Sequence, residues 1–186
     1  FARNLLEHVN PYTQRAYKDE PGLAWLALVN EGNLTNFVGL AKEIPEYRQA
    51  WNRWLAERYA TRDALAAAWG AALKSGEDPA KGTVTLEGSV HGQDLRSRDM
   101  VLFFAKVEKD FLARAGAFLR NELGVRALIT NRNGWTNHVT SQGVRDAMDY
   151  VDDHFYVDHP RFLEEPWRLP SRCPNSSPIA GGATGG

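Results

Sequence analysis

Leu23-Ala-Trp-Leu-Ala-Leu-Val-Asn-Glu-Gly-Asn-Leu34 is the stretch whose reading decides the fold. Leu23 to Val29 is an unbroken apolar run of one strand's length, and it ends where Asn30, Glu31 and Gly32 bring polarity and a glycine together. A run of this kind reads as a strand buried on both faces, as in a parallel sheet covered by helices. An acid just past the carboxyl end of such a strand sits where barrels and open α/β sheets place their chemistry. The same residues also read as a plain polar turn, with Asn33 or Thr35 capping the next helix. The rest of the chain bears on that choice.

Upstream, residues 1–9 read as the last turns of a helix with Leu5, Leu6 and Val9 on one side. Asn10-Pro11 ends it, because proline disfavours helical geometry in the residue before it. Downstream, Pro45 opens a helix to about Tyr59, and Thr61 caps a second that buries Leu65, Ala68, Trp69 and Leu73. The spacing of Trp51, Trp54 and Trp69 points to packing rather than sugar stacking. Lys74 to Gly92 is a glycine- and proline-punctuated excursion with a short extended piece at 83–86. A long helix follows from about Ser97 to Leu123. Its stripe is Met100, Phe103, Phe104, Val107, Phe111, Ala115, Phe118 and Leu119, and Gly124 stops it. Val125 to Thr130 is a second apolar strand, opening into the polar loop Asn131 to Asn137. A brief helix near Gln142 to Met148 leads to a third strand, Tyr150 to Tyr156.

Helices alternating with strands predict an α/β fold whose strands near 23–29, 125–130 and 150–156 are parallel and adjacent in that order. Three strands cannot close a barrel of eight. They would leave bare sheet edges, so the expectation is one partial domain over 1–175 with a helical insertion at about 45–123. Residues 176–186 form a glycine-rich loop. Both ends look cut, and the piece alone is expected to fold poorly and to be inactive.

Across the 186 residues, a net charge of -1 gives no electrostatic reason to expect nucleic acid or an anionic membrane as partner. No window approaches the roughly 18 apolar residues of a membrane span. One cysteine, Cys173, excludes an intrachain disulfide framework and any multi-Cys metal site. No cofactor is implied, and compartment and oligomeric state are not readable.

On a regular third strand Tyr150, Asp152, His154 and Tyr156 share one face, and Val151, Asp153, Phe155 and Val157 the other. The first face is polar and titratable, as the wall of a site would be. His154, Asp158 and His159 are metal-ligand types, but parity sets His159 opposite His154, so no metal is expected. A structural, hydrogen-bonded His154 is the plainer alternative.

Together these segments resemble the clan A glycoside hydrolases, retaining enzymes built on a TIM (β/α)8 barrel. Asn30-Glu31 at the end of an apolar strand is similar to that clan's strand-four signature. His8-Val-Asn-Pro-Tyr-Thr13 with Tyr17-Lys-Asp-Glu-Pro21 resembles the approach to this strand in family 5. Trp54-Leu55, Arg58-Tyr59, Leu65 and Ala68-Trp69 look like an insertion of cellulase- or agarase-like relatives. Val125 to Asn131 resembles strand five, and Asp149-Tyr-Val-Asp-Asp-His-Phe-Tyr156 strand six. The resemblance implies an O-glycosidase acting on a β-linked oligo- or polysaccharide, with Glu31 as general acid/base. Asn30 would bond the hydroxyl beside the reacting carbon, His154 would line the subsite, and Tyr156 would support the nucleophile. Asn133 and Trp135 are implied sugar contacts. The clan's nucleophile, a Glu ending strand seven, has no counterpart here, and Glu164 and Glu165 follow no apolar strand. The rival readings are a barrel that binds carbohydrate without cleaving it and an α/β protein of unrelated function.

Overall fold

Two short strands and one long helix set the frame of the protein. The computed structural model describes residues 1–30, 34–131, 143–152 and 160–172. The chain divides into two compact units, Phe1–Asp152 and Asp153–Gly186.

In the first unit, helix α1 (Ala2–Leu6) is followed by a turn in which the Asn10 carboxamide accepts from the Tyr12 and Thr13 amides. Of the expected apolar side, only Leu6 is buried; Leu5 and Val9 are exposed. Strand β1 (Trp25–Ala27) pairs in parallel with β2 (Leu128–Thr130), Trp25 beside Leu128 and Ala27 beside Thr130. The parallel pairing is as the sequence predicts. The lengths are not: each strand spans three residues, and β1 is not buried on both faces. Leu26, Leu28, Ala127 and Ile129 pack with Leu6, Leu119 and Leu123 on one side of the sheet. The other side carries Trp25, 64% exposed, beside Leu128, 49% exposed. An apolar run predicts two covered faces, but Trp25 and Ala27 of β1 stay exposed on the second.

Beyond β2 the chain returns at Asp149, whose amide donates to the Ile129 carbonyl (3.0 Å) and whose carboxylate accepts from the Ile129 amide (2.7 Å). Thr130 Oγ1 donates to the Tyr150 carbonyl at 3.0 Å. Residues 149–150 thus lie along β2 on the side where the third strand was expected. Tyr150 to Asp152 form no strand, and 153–156 lie outside the described residues. The fold is mixed α/β, and no closed barrel exists among the described residues.

Between the strands come α2 (Val38–Ala41), α3 (Pro45–Tyr59), α4 (Arg62–Trp69) and α5 (Leu95–Ala117). Proline at the first position opens α3, where its missing N–H costs nothing. Thr61 Oγ1 accepts from Ala64 N at the head of α4, as expected. The long helix starts at Leu95 rather than about Ser97, and Asp94 caps it by accepting from the Ser97 amide at 2.8 Å. The helix ends in a π turn (Phe118–Glu122) before Gly124 at φ +69, a conformation that favours glycine.

Trp51, Trp69, Phe103 and Phe104 are buried in one core with Leu55, Leu65 and Met100. Trp51 stacks on Trp54 and Trp69, with ring centroids 5.5 and 6.0 Å away, so these indoles pack on one another. Arg58 sits 5.2 Å over the Trp54 ring and pairs with buried Asp99, which also accepts from Tyr59 OH and Trp69 Nε1. Phe111 departs from the expected stripe; it is 45% exposed, and its neighbour Leu112 is buried instead.

The short extended piece expected at 83–86 joins no sheet. Val84 and Leu86 are buried, but the Val84 backbone is paired by the Asn52 side chain, which donates to its carbonyl (2.9 Å) and accepts from its amide (3.0 Å). Buried Glu77 holds the loop from the other end. It receives Arg96 bidentately at 2.7 and 2.8 Å, and the Lys74 and Thr85 amides at 2.9 and 3.0 Å.

In the second unit, β3 (Arg161–Phe162) pairs antiparallel with β4 (Ser171–Arg172), and Phe162 packs on Trp167 at 5.3 Å. Glu164 and Glu165 are exposed in the connecting loop.

The Glu77 clasp makes stability acid-sensitive. Burial disfavours its charge, but the Arg96 and backbone bonds outweigh that and hold the carboxyl at about 2, against an ordinary 4.5. Such a lowered pKa contributes stability that is full above the unfolded value, worth about 3 kcal/mol. That stability is lost as pH falls from about 5 to 2. Denaturant titrations across that range should show this slope, and Glu77→Gln should flatten it while costing about 3 kcal/mol at neutral pH. Equal stability of Glu77→Gln and wild type at neutral pH would contradict the clasp.

Candidate functional site

Parallel strands point all their carbonyl ends the same way, so the ground beyond the carboxyl ends of β1 and β2 is where a ligand site is sought. A pocket of about 500 Å3 opens there, within the usual range for small-molecule sites. Val29 and Asn30 reach it from β1, and Asn131 from β2. Leu34 and Phe37 come from the segment after β1, and Tyr47 from α3. Val107, Glu108, Phe111 and Arg114 come from α5.

The spacing on α5 explains how one helix serves both core and pocket. Residues three and four apart share a face, so Phe104, Val107, Glu108, Phe111 and Arg114 descend one side of the helix in successive turns. Phe104 ends in the core, while the next turns face the pocket. Glu108 stands at a stripe position, where an acid is expensive unless bonded. Its carboxylate accepts from the Leu34 amide, which anchors the chain as it enters the 3-10 turn Leu34–Asn36. Burial, and then the Glu108 charge, raise the Tyr47 phenol above its ordinary value, so Tyr47 is a neutral hydroxyl at physiological pH.

Asn131 is 7% exposed, and its carboxamide oxygen has no hydrogen-bond partner among the described residues. Buried polar atoms are normally satisfied, so an acceptor left open in a pocket wall is notable. The Arg114 guanidinium has no ion-pair partner among the described residues, since neighbouring Asp110 is taken by Lys106. The pocket therefore offers an acceptor, a cationic donor, a phenol and a bonded carboxylate between the partly exposed rings of Phe37 and Phe111.

Of the residues singled out from sequence, Asn30 lines this pocket and is exposed. Glu31, Asn133, Trp135, His154 and Tyr156 lie outside the described residues. Glu108, Arg114, Tyr47 and Asn131 were not singled out. A glutamate inside an apolar helical stripe was the available signal for Glu108; nothing local marks Arg114. Among the described residues no group of three or more His, Cys, Asp or Glu gathers as metal ligands would. No helix among them is long and apolar enough to cross a membrane.

No protein-family model, curated protein or solved structure matches this chain. The chemistry of the site therefore rests on its own residues.

Removing the Glu108 charge should lower the Tyr47 pKa. Glu108→Gln keeps an oxygen for the Leu34 amide, so the fold should survive. Burial, the larger cause, remains, so the phenol should stay above its ordinary value while moving toward it. Tyrosine ring-carbon NMR against pH, assigned with Tyr47→Phe, reads this directly. An unmoved Tyr47 titration would mean that the carboxylate does not act on the pocket wall.

Proposed function

We propose that the chain is part of a retaining O-glycoside hydrolase with Glu31 as general acid/base, built on a TIM (β/α)8 barrel with α3 to α5 inserted between two successive strands. The observation that carries the reading is the position of Asn30. It follows β1, the first of two parallel strands, and lines a pocket at their carboxyl ends, with a glutamate next in sequence. The exposed pair Trp25 and Leu128 favours the barrel, because their side of the sheet would face a barrel's interior and be covered on closure.

The reaction needs two carboxyl groups about 5–5.5 Å apart across the scissile bond. One attacks the anomeric carbon as the leaving oxygen takes a proton from Glu31. The resulting glycosyl-enzyme is then opened by water, which gives its proton back to the Glu31 carboxylate. A neighbouring negative charge and a sheltered cleft would keep Glu31 protonated for the first step. Asn30 would hold the hydroxyl adjacent to the reacting carbon. His154, Asn133 and Trp135 keep the sugar-contacting roles that the resemblance gives them, and Tyr156 would support the nucleophile. The resemblance assigns the nucleophile to a strand outside these 186 residues. The substrate is a carbohydrate, and the scheme uses no metal or cofactor.

Glu31→Ala, made in the whole protein that carries this chain, tests the assignment. Natural linkages with poor leaving groups should slow by about 10²–10⁴-fold, because they depend on proton donation. Aryl glycosides with good leaving groups should still form the glycosyl-enzyme and stall. Azide, which needs no deprotonation, should then restore turnover and give a β-glycosyl azide from a β-glycoside. Near-normal hydrolysis of the natural substrate by folded Glu31→Ala would reject the role. A capping residue at this position would instead cost about 0.5–2 kcal/mol of stability and leave the rate alone.

A further inference from the structure

The pocket wall carries more information than the position of Asn30 uses. The buried Asn131 oxygen needs a hydrogen-bond donor, and leaving it bare would cost about 1–3 kcal/mol. Arg114 brings donors that need an acceptor. Phe111 and Phe37, 45% and 51% exposed, present apolar faces to the same space. A hydrocarbon would cover the rings and strand the Asn131 oxygen. An anion would meet the Glu108 carboxylate, and a cation would meet Arg114. A water alone could satisfy Asn131 but would leave both rings wet.

We propose that this pocket is a binding subsite for a neutral sugar ring, whose hydroxyls are read by Asn131 and Arg114 and whose C–H surface lies against Phe111. A pyranose is both donor and acceptor around its rim and apolar on its faces, which is the combination the wall presents. The choice of sugar rests on the carbohydrate reading above, but the subsite does not depend on hydrolysis. It is built from α5 and the residue after β2, not from Glu31. If both readings hold, it binds a sugar unit next to the bond being cleaved and so selects the substrate.

Direct binding by the whole protein that carries this chain is the test, followed by protein-observed NMR with glucose, galactose, mannose, xylose and their β-linked disaccharides. Galacturonate serves as an anionic control and benzene as an apolar one. At least one neutral saccharide should bind and shift the Asn131 carboxamide resonances. Asn131→Leu, which keeps size and removes the acceptor, should weaken that binding by about tenfold. Phe111→Ala, at a position 45% exposed, should weaken it similarly. The proposal is overturned if no neutral sugar binds, if galacturonate or benzene binds more tightly, or if neither substitution changes the affinity. Glu31→Ala separates the two readings. Saccharide binding that persists while the wild-type whole protein that carries this chain shows no hydrolysis leaves the subsite standing and removes the enzyme. Hydrolysis that ignores both substitutions keeps the enzyme and removes the subsite.

Discussion

The bidentate pair between Glu77 and Arg96 is the contact on which the architecture of the first unit turns. Arg96 is the second residue of α5 and is almost wholly buried. Besides Glu77 it donates to the carbonyls of Ala72 and Thr85, and it lies 5.2 Å over the Trp69 ring. A single guanidinium thus ties the end of α4, the middle of the excursion and the start of α5 together. An isolated buried charge would cost several kcal/mol, so neither partner is tolerable without the other. Replacing both by apolar residues of similar volume should preserve stability, whereas replacing one should not. The loop from 74 to 92 has almost no regular structure of its own, and Glu77 and Asn52 supply the backbone partners that a strand would have had.

What the clasp positions is α5. Twenty-three residues of helix extend about 35 Å, enough to run through both cores. Met100, Phe103 and Phe104 belong to the aromatic core, and Leu119, in the π turn that follows, belongs to the core under the sheet. Between these lie Glu108, Phe111 and Arg114, on turns that neither core claims. The pocket exists because the helix must bridge two cores while its middle faces the ends of the strands. Arg120, in the π turn, fastens the far end by donating to the Val125 and Ala127 carbonyls and pairing with Asp149.

Local chemistry was legible in the sequence wherever one residue decides an element. Pro45 opened α3, Thr61 capped α4 and Gly124 closed the long helix because each acts within a single turn. Strand length was not legible. Leu23 to Val29 is apolar throughout, but how many of those residues join a ladder depends on neighbours that the run itself does not encode. The helical stripe was right at Met100, Phe103 and Phe104 and failed at Phe111, because periodicity says which residues share a side but not what that side meets. The candidate site was read from one strand end. Its other wall comes from a helix some eighty residues away, and only the tertiary fold unites Asn30 with Glu108 and Asn131.

Glu108 links that wall to the strand end more directly than proximity alone. On one side of Glu31, Leu28 donates its amide to the Thr130 carbonyl and so holds the chain to the sheet. On the other side, Leu34 donates its amide to the Glu108 carboxylate and so holds the chain to α5. Under the acid/base role proposed for Glu31, that group would need positioning to within about 0.5 Å. The two anchors, at Leu28 and Leu34, come from separate elements, the sheet and α5. The carboxylate is worth its desolvation because it bonds a backbone amide at the place where the chain leaves the strand. The charge that perturbs Tyr47 and the acceptor that anchors Leu34 are therefore one group. A change at position 108 therefore alters the pocket and the geometry of the strand end together.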